Sequence, residues 1–170
     1  MEWINAYLIS HGFLFLFVVV LLEYLNLPGF PSGIIMTVGG VWIYSNGLSL
    51  VHGLCITVLA GLVGSWILYF VGRTGGDFLL NKYIAKFPKQ KGSIDKIINL
   101  LERNSNWAIF VSKLLPVTRT IMPIPAGAIK LNFINYTLYS ALGIFVWNSV
   151  LMMSGYYFGE VALYGYNFGC

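Results

Sequence analysis

Two cations, Lys113 and Arg119, stand in the stretch Phe110–Gly127, which is otherwise apolar apart from hydroxyl residues and carries three prolines, Pro116, Pro123 and Pro125. Their types suit one kind of chemistry, the holding of an anion. Arginine presents a planar fork that meets a phosphate at two points, and lysine adds a compact second charge. A basic side chain at bilayer depth costs about 3 kcal/mol even on insertion scales, and each proline removes a backbone donor that lipid cannot replace. Such a stretch persists only where it faces protein or a wet cavity. Arg73 is a third candidate contact, with a snorkelling end charge as its alternative role. Glu23 is the natural counter-charge or proton carrier, and structural ion pairing is the alternative for it and for the two cations.

These residues sit in a chain of membrane composition. Of 170 residues 58% are hydrophobic and 9% charged, with a mean hydropathy of +0.76; soluble domains carry about 25% charged residues. A single membrane domain over 1–170 is expected, in the cell membrane and multi-pass. Seven basic and three acidic residues lie between Arg73 and Arg103, while the charges elsewhere cancel. The positive-inside rule puts this segment in the cytoplasm, against anionic headgroups rather than nucleic acid.

The elements that must position the cations follow from length and breakers. Trp3 to Leu22 is uncharged and long enough for one tilted N-terminal span, with His11 at the headgroup level. After Glu23, the cluster Leu27-Pro-Gly-Phe-Pro-Ser-Gly33 turns the chain at Pro28 and Pro31. The 49 uncharged residues before Arg73 are too many for one span of about 20. They are expected to break at Gly39-Gly40 and at Ser45-Asn-Gly47, leaving a piece of 11 residues from Ile34 to Tyr44 that is short enough to be re-entrant. A span follows from Val51 to Gly72, with small residues Ala60, Gly61, Gly64 and Ser65 at packing intervals. The basic segment 73–105 contains an amphipathic helix with Ser93 as N-cap and Ile94, Ile97, Ile98 and Leu101 on one face, expected on the membrane surface. Trp107 to Leu115 is again too short to cross before Pro116, which predicts a second hairpin turning through Pro116, Pro123 and Gly127. The last span runs from about Asn132 to Phe158.

The layout repeats. A broken short hairpin followed by a full span occurs from Pro28 to Gly72 and from Pro116 to Phe158, in opposite orientations. The predicted fold is an all-α integral membrane protein, an inverted repeat of two re-entrant helical hairpins each followed by a transmembrane helix, with an N-terminal span and a cytoplasmic amphipathic helix. Catalysis is not expected. His11 and His52 are remote from the cations in sequence, and there is no Gly-x-Ser-x-Gly, no His-Glu-x-x-His and no paired carboxylate set. Cys55 and Cys170 have no metal-ligand spacing, so neither a metal nor a cofactor is expected.

Read together, these residues resemble the DedA family of membrane proteins, also described as SNARE-associated or VTT-domain proteins, over residues 12–160. The resemblance rests on Glu23 with Pro28 and Pro31, on Gly61-x-x-Gly64 with Tyr69-x-x-Gly72-Arg73, and on Phe110-x-x-Lys113-x-x-Pro116-x-x-Arg119 with Pro123, Ala126-Gly127, Gly143 and Trp147. It implies a flippase for a phosphate-bearing lipid, above all undecaprenyl phosphate, coupled to the proton motive force in several members. On that implication Arg119, Lys113 and Arg73 bind the lipid phosphate and Glu23 exchanges a proton. A phospholipid scramblase of the same fold is the near alternative; a lipid phosphatase or a non-transporting scaffold is the distant one. The expected partner is a membrane lipid, polyprenyl phosphate or phospholipid, and homo-oligomerisation is compatible. The chain departs from the family pattern in Lys113 for Arg, Gly33 and Ser65 for acidic residues, and Ser140 for Asn, so its acidic half is reduced to Glu23. The family commonly adds a further span after the Gly/Tyr-rich tail.

Overall fold

The computed structural model describes residues 2–25, 32–86, 88, 91–116 and 118–167. Pro28 and Pro31 lie outside the described residues. Among the described residues there are seven helices: α1 (Glu2–Tyr24), α2 (Ser32–Ser45), α3 (Leu50–Lys86), α4 (Lys91–Lys113), α5 (Thr118–Ile121), α6 (Pro123–Ala128) and α7 (Phe133–Asn167). The described residues contain no strand. Among the described residues two stretches are long and apolar enough to cross a membrane, Leu50–Gly76 of 27 residues and Phe133–Val161 of 29, each about 40 Å at 1.5 Å per residue. The helix α2, with 14 residues, spans only about 21 Å.

Several ends differ from the expected ones. Gly39-Gly40 does not break α2, which runs on to Ser45; the two glycines are buried contact points. The chain turns at the other expected break, Ser45-Asn-Gly47, where Gly47 has a φ of 61° that a glycine adopts without cost. Ser93 is not the cap of α4, which begins two residues earlier at Lys91. A non-helical Asn104 (φ −152°, ψ 71°) divides α4 into an amphipathic piece and an apolar one. Of the apolar stripe of the first piece, Leu101 is buried in a core cluster and Ile98 packs against it. The last helix outruns Phe158 to reach Asn167, because the Gly/Tyr-rich tail holds no proline to stop it. A second break, at Gly76 (φ 48°), separates the apolar part of α3 from its basic end.

The chain divides into two compact units, residues 1–23, 27–61 and 145–170 in the first and 24–26 and 62–144 in the second. The first unit has a core of Leu16, Val20, Met36, Ile43 and Met152. In it α2 lies backbone to backbone on α7. A Cβ on Gly40 would strike the Met152 carbonyl and the Tyr156 nitrogen, and one on Gly155 would strike the Thr37 carbonyl. Aromatic edges complete the contact, Tyr44 on Tyr156 at 4.9 Å and Phe13 on Trp42 at 5.5 Å.

The second unit repeats this device with other elements. Here α6 lies on α3: a Cβ on Gly72 would strike the Ile124 carbonyl, and one on Gly127 the Tyr69 carbonyl and the Arg73 nitrogen. Its core gathers Tyr69, Leu101, Ala108, Ile109, Ile121, Met122, Ala126 and Tyr136. Small residues at such crossings let helices approach until dispersion and dipoles, rather than water exclusion, hold them.

The halves of the chain share a detailed plan. Both α2 and α6 end in the same two-bond cap, Leu48 N to Ile43 O at 2.9 Å with Gly47 N to Tyr44 O at 3.0 Å, and Leu131 N to Ala126 O at 3.1 Å with Lys130 N to Gly127 O at 2.9 Å. This Schellman arrangement puts one residue in the left-handed region, Gly47 at 61° and Lys130 at 56°. One offset of 83 residues (47 to 130) also relates Leu50 to Phe133, the first residues of the long helices, and Gly72 to Gly155. Each short helix thus packs on the long helix of the other half of the sequence.

Candidate anion site

The second unit holds both cations of the opening stretch. Lys113 is the last residue of α4 and Arg119 lies in α5; their exposures are 0% and 1%. Local sequence explains the sharp path between them. Pro116 cannot continue α4, so the chain closes a tight turn with Leu114 N to Val111 O at 3.1 Å. The Thr118 hydroxyl then donates to the Ser112 carbonyl at 2.8 Å, and Arg119 N reaches Leu115 O at 3.1 Å. Pro123 opens α6 at its first position, where a missing N–H is no loss. Gly127 then supplies the close contact with α3.

Lys113 is held from three sides. Its Nζ donates to Ser65 Oγ at 2.9 Å and to the carbonyl of Arg119 at 3.3 Å, and it stands 5.6 Å from the centre of the Tyr136 ring. Gly143 makes the room, since a Cβ there would overlap the Lys113 stem and the Phe110 carbonyl. The Arg119 guanidinium carbon lies 4.7 Å over the ring of buried Tyr24, within the range where a cation gains from an aromatic face. Nη1 also reaches the Tyr24 hydroxyl at 3.5 Å, the long limit for a hydrogen bond.

Arg73 is not brought beside the other two. It is exposed and donates from Nη1 to the Tyr69 hydroxyl at 2.9 Å. The chain of contacts continues inward, for Tyr69 stacks on Tyr136 with centroids 4.7 Å apart, and its hydroxyl donates to the Leu131 carbonyl. Arg73 therefore stands at the outer end of an aromatic stack whose inner ring faces Lys113. Glu23 is buried at the end of α1, next in sequence to Tyr24. Pro116 is exposed, whereas Pro123 and Gly127 are buried.

Sequence reasoning missed Tyr24 altogether and read Ser65 as a small packing residue and a lost acid. The signal available for Tyr24 was its place beside Glu23, the one acidic residue between Trp3 and Arg73. Ser65 proves to be the acceptor for Lys113, and no residue nearby in the chain announces a partner 48 positions away. Among the described residues, the buried charges of the second unit are both positive, and no group of His, Cys, Asp and Glu is placed to hold a metal. Buried lysine and arginine side chains beside hydroxyls and rings are groups of the kind that can hold an anion.

The sequence profile of the VTT domain matches residues 30–157. The chain is similar to undecaprenyl phosphate transporter A of Staphylococcus aureus, 28% identical over 156 residues that cover 89% of this chain and 76% of that one. It is 24% identical to protein DedA of Escherichia coli K12, over 80% of this chain and 63% of that protein. An alkaline phosphatase-like protein of Lactococcus lactis is 27% identical, over 78% of this chain and 64% of the other. The chain thus spans just under two thirds of the last two relatives. No solved structure matches it.

Proposed function

Because the chain belongs to the DedA, or VTT-domain, family, we propose that it is a membrane transporter that carries a phosphate-bearing lipid, of the undecaprenyl phosphate class, across the bilayer. The observation that carries the reading is the pair Lys113 and Arg119, at 0% and 1% exposure on short, proline-broken helices of a membrane chain. A charge so placed is expensive unless it serves an ion. In this reading α2 and the α5–α6 segment are re-entrant hairpins that enter and leave on one side, since neither is long enough to cross. Arg119 grips the phosphate with its fork, Lys113 adds charge and fixes the Arg119 backbone, and Arg73 meets the headgroup at the outer end of the tyrosine stack. Glu23, next in sequence to Tyr24, is the candidate counter-charge or proton carrier. The segment 73–103 faces the cytoplasm.

The rival class is a lipid phosphatase, suggested by the name of the Lactococcus relative. The groups seen beside the cations are the hydroxyls of Ser65 and Tyr24. Proteoliposomes separate the two directly: a polyprenyl phosphate whose headgroup changes side without chemical change supports the transporter. Release of inorganic phosphate with no change of side would contradict it.

A further inference from the structure

Within the second unit, Tyr69 and Arg73 stand one turn apart on α3, a spacing that puts them on one face. Tyr69 is fully buried while Arg73 is exposed, so the pair joins the core to the surface. The tyrosine is clamped on every side that its contacts reach. Its ring stacks on Tyr136 at 4.7 Å and is met by Phe70 and Phe133 at 5.6 Å each. Its hydroxyl has a single hydrogen, and that hydrogen is committed to the Leu131 carbonyl. Leu131 is itself tied down, because its N donates to Ala126 O at 3.1 Å in the cap of α6. What the hydroxyl turns toward Arg73 is therefore a lone pair, and Arg73 Nη1 donates to it at 2.9 Å. The backbone of the same turn is pinned as well, since a Cβ on Gly127 would strike the Tyr69 carbonyl and the Arg73 nitrogen. A guanidinium has several N–H donors in a planar fork, so a bond made from Nη1 leaves the Nε–Nη2 edge to meet a phosphate.

We propose that Tyr69 is a positioning residue for phosphate capture: its buried hydroxyl holds the exposed Arg73 guanidinium in place before a lipid phosphate arrives. The inference rests on the transport reading above and deepens it, by naming what makes Arg73 a binding group rather than an end charge. An exposed arginine samples many rotamers, and ordering it on binding weakens the complex. A guanidinium already tethered to a fixed phenol loses less. The tether also sets which edge of the fork faces outward, which a charge alone would not do. Tyr69 touches no phosphate in this arrangement; it acts through Arg73.

The test is a double-mutant cycle on the full chain in lipid nanodiscs, with equilibrium binding of a short-chain prenyl phosphate as the readout. Tyr69→Phe keeps the ring and its stacking but removes the hydroxyl, and it is expected to weaken binding by about three- to tenfold. Arg73→Ala should weaken binding at least as much, and adding Tyr69→Phe to it should change the affinity by less than about twofold. Any loss of melting temperature from the Leu131 contact should be the same in both backgrounds, so a merely structural role of the hydroxyl does not reproduce the pattern. Binding by Tyr69→Phe equal to that of the wild type would overturn the proposal. An equal fold-loss from Tyr69→Phe with and without Arg73 would overturn it too, since the tyrosine would then act independently of the arginine. Full binding by Arg73→Ala would remove Arg73 from the site and the proposal with it, leaving the buried pair Lys113 and Arg119 to carry the transport reading. If the wild type bound no prenyl phosphate, the transport reading itself would fall.

Discussion

At the scale of residues, magnitudes decide which contacts of Arg119 matter. The Tyr24 hydroxyl at 3.5 Å contributes little, whereas a desolvated cation over a ring at 4.7 Å is worth about 2 kcal/mol. Tyr24→Phe should therefore behave as the wild type in thermal unfolding and in lipid binding, while Tyr24→Leu should lower both. Ser65→Ala removes the hydroxyl that accepts the buried Lys113 ammonium, and a loss of roughly 1–3 kcal/mol is expected, read as a lower melting temperature in detergent. Arg119→Lys keeps the charge but loses the fork and the flat face for stacking, so partial transport is its expected phenotype. The two cations were legible in the sequence because charge in apolar surroundings stands out. Their partners were not, since Tyr24 and Ser65 meet them across 95 and 48 positions and look ordinary where they stand.

At the scale of elements, some glycines face backbone and others face open space. Gly40, Gly72, Gly127 and Gly155 each face the backbone of a partner helix, whereas nothing lies within 4 Å of a Cβ on Gly33. Gly72→Ala and Gly127→Ala should each cost about 1–3 kcal/mol through overpacking, while Gly33→Ala should be neutral or stabilising by up to about 1 kcal/mol; parallel thermal melts check the contrast. Lys130 holds φ 56° at a position that most helices give to glycine, so Lys130→Gly should raise stability by about 0.5–1 kcal/mol. The same contrast explains what sequence could show. Length and apolarity located the two spans, but a glycine pair looks the same whether it breaks a helix or seats one, and Gly39-Gly40 was assigned to the wrong role. The end of α7 was hidden for a related reason, because aromatic and glycine residues neither demand nor forbid a further two turns.

At the scale of the whole molecule, the repeat explains how one short chain makes two units of one design. Each half of the sequence gives its short helix to the unit built on the other half's long helix, with Gly40 on Gly155 and Gly72 on the α6 backbone. The layout was legible from breakers and span lengths; the exchange was not, because it is a property of packing between distant segments. The orientation is open to a direct check. In a background with Cys55 and Cys170 replaced by Ser, single cysteines at exposed Lys86 or Lys96 should react with an impermeant maleimide only from the cytoplasmic side. The central claim, that the buried cations handle a lipid phosphate, is tested most directly by headgroup accessibility of a polyprenyl phosphate in proteoliposomes carrying wild type or Arg119→Ala. The account predicts movement with the wild type and loss of movement with a normally folded Arg119→Ala; equal movement by both would contradict it.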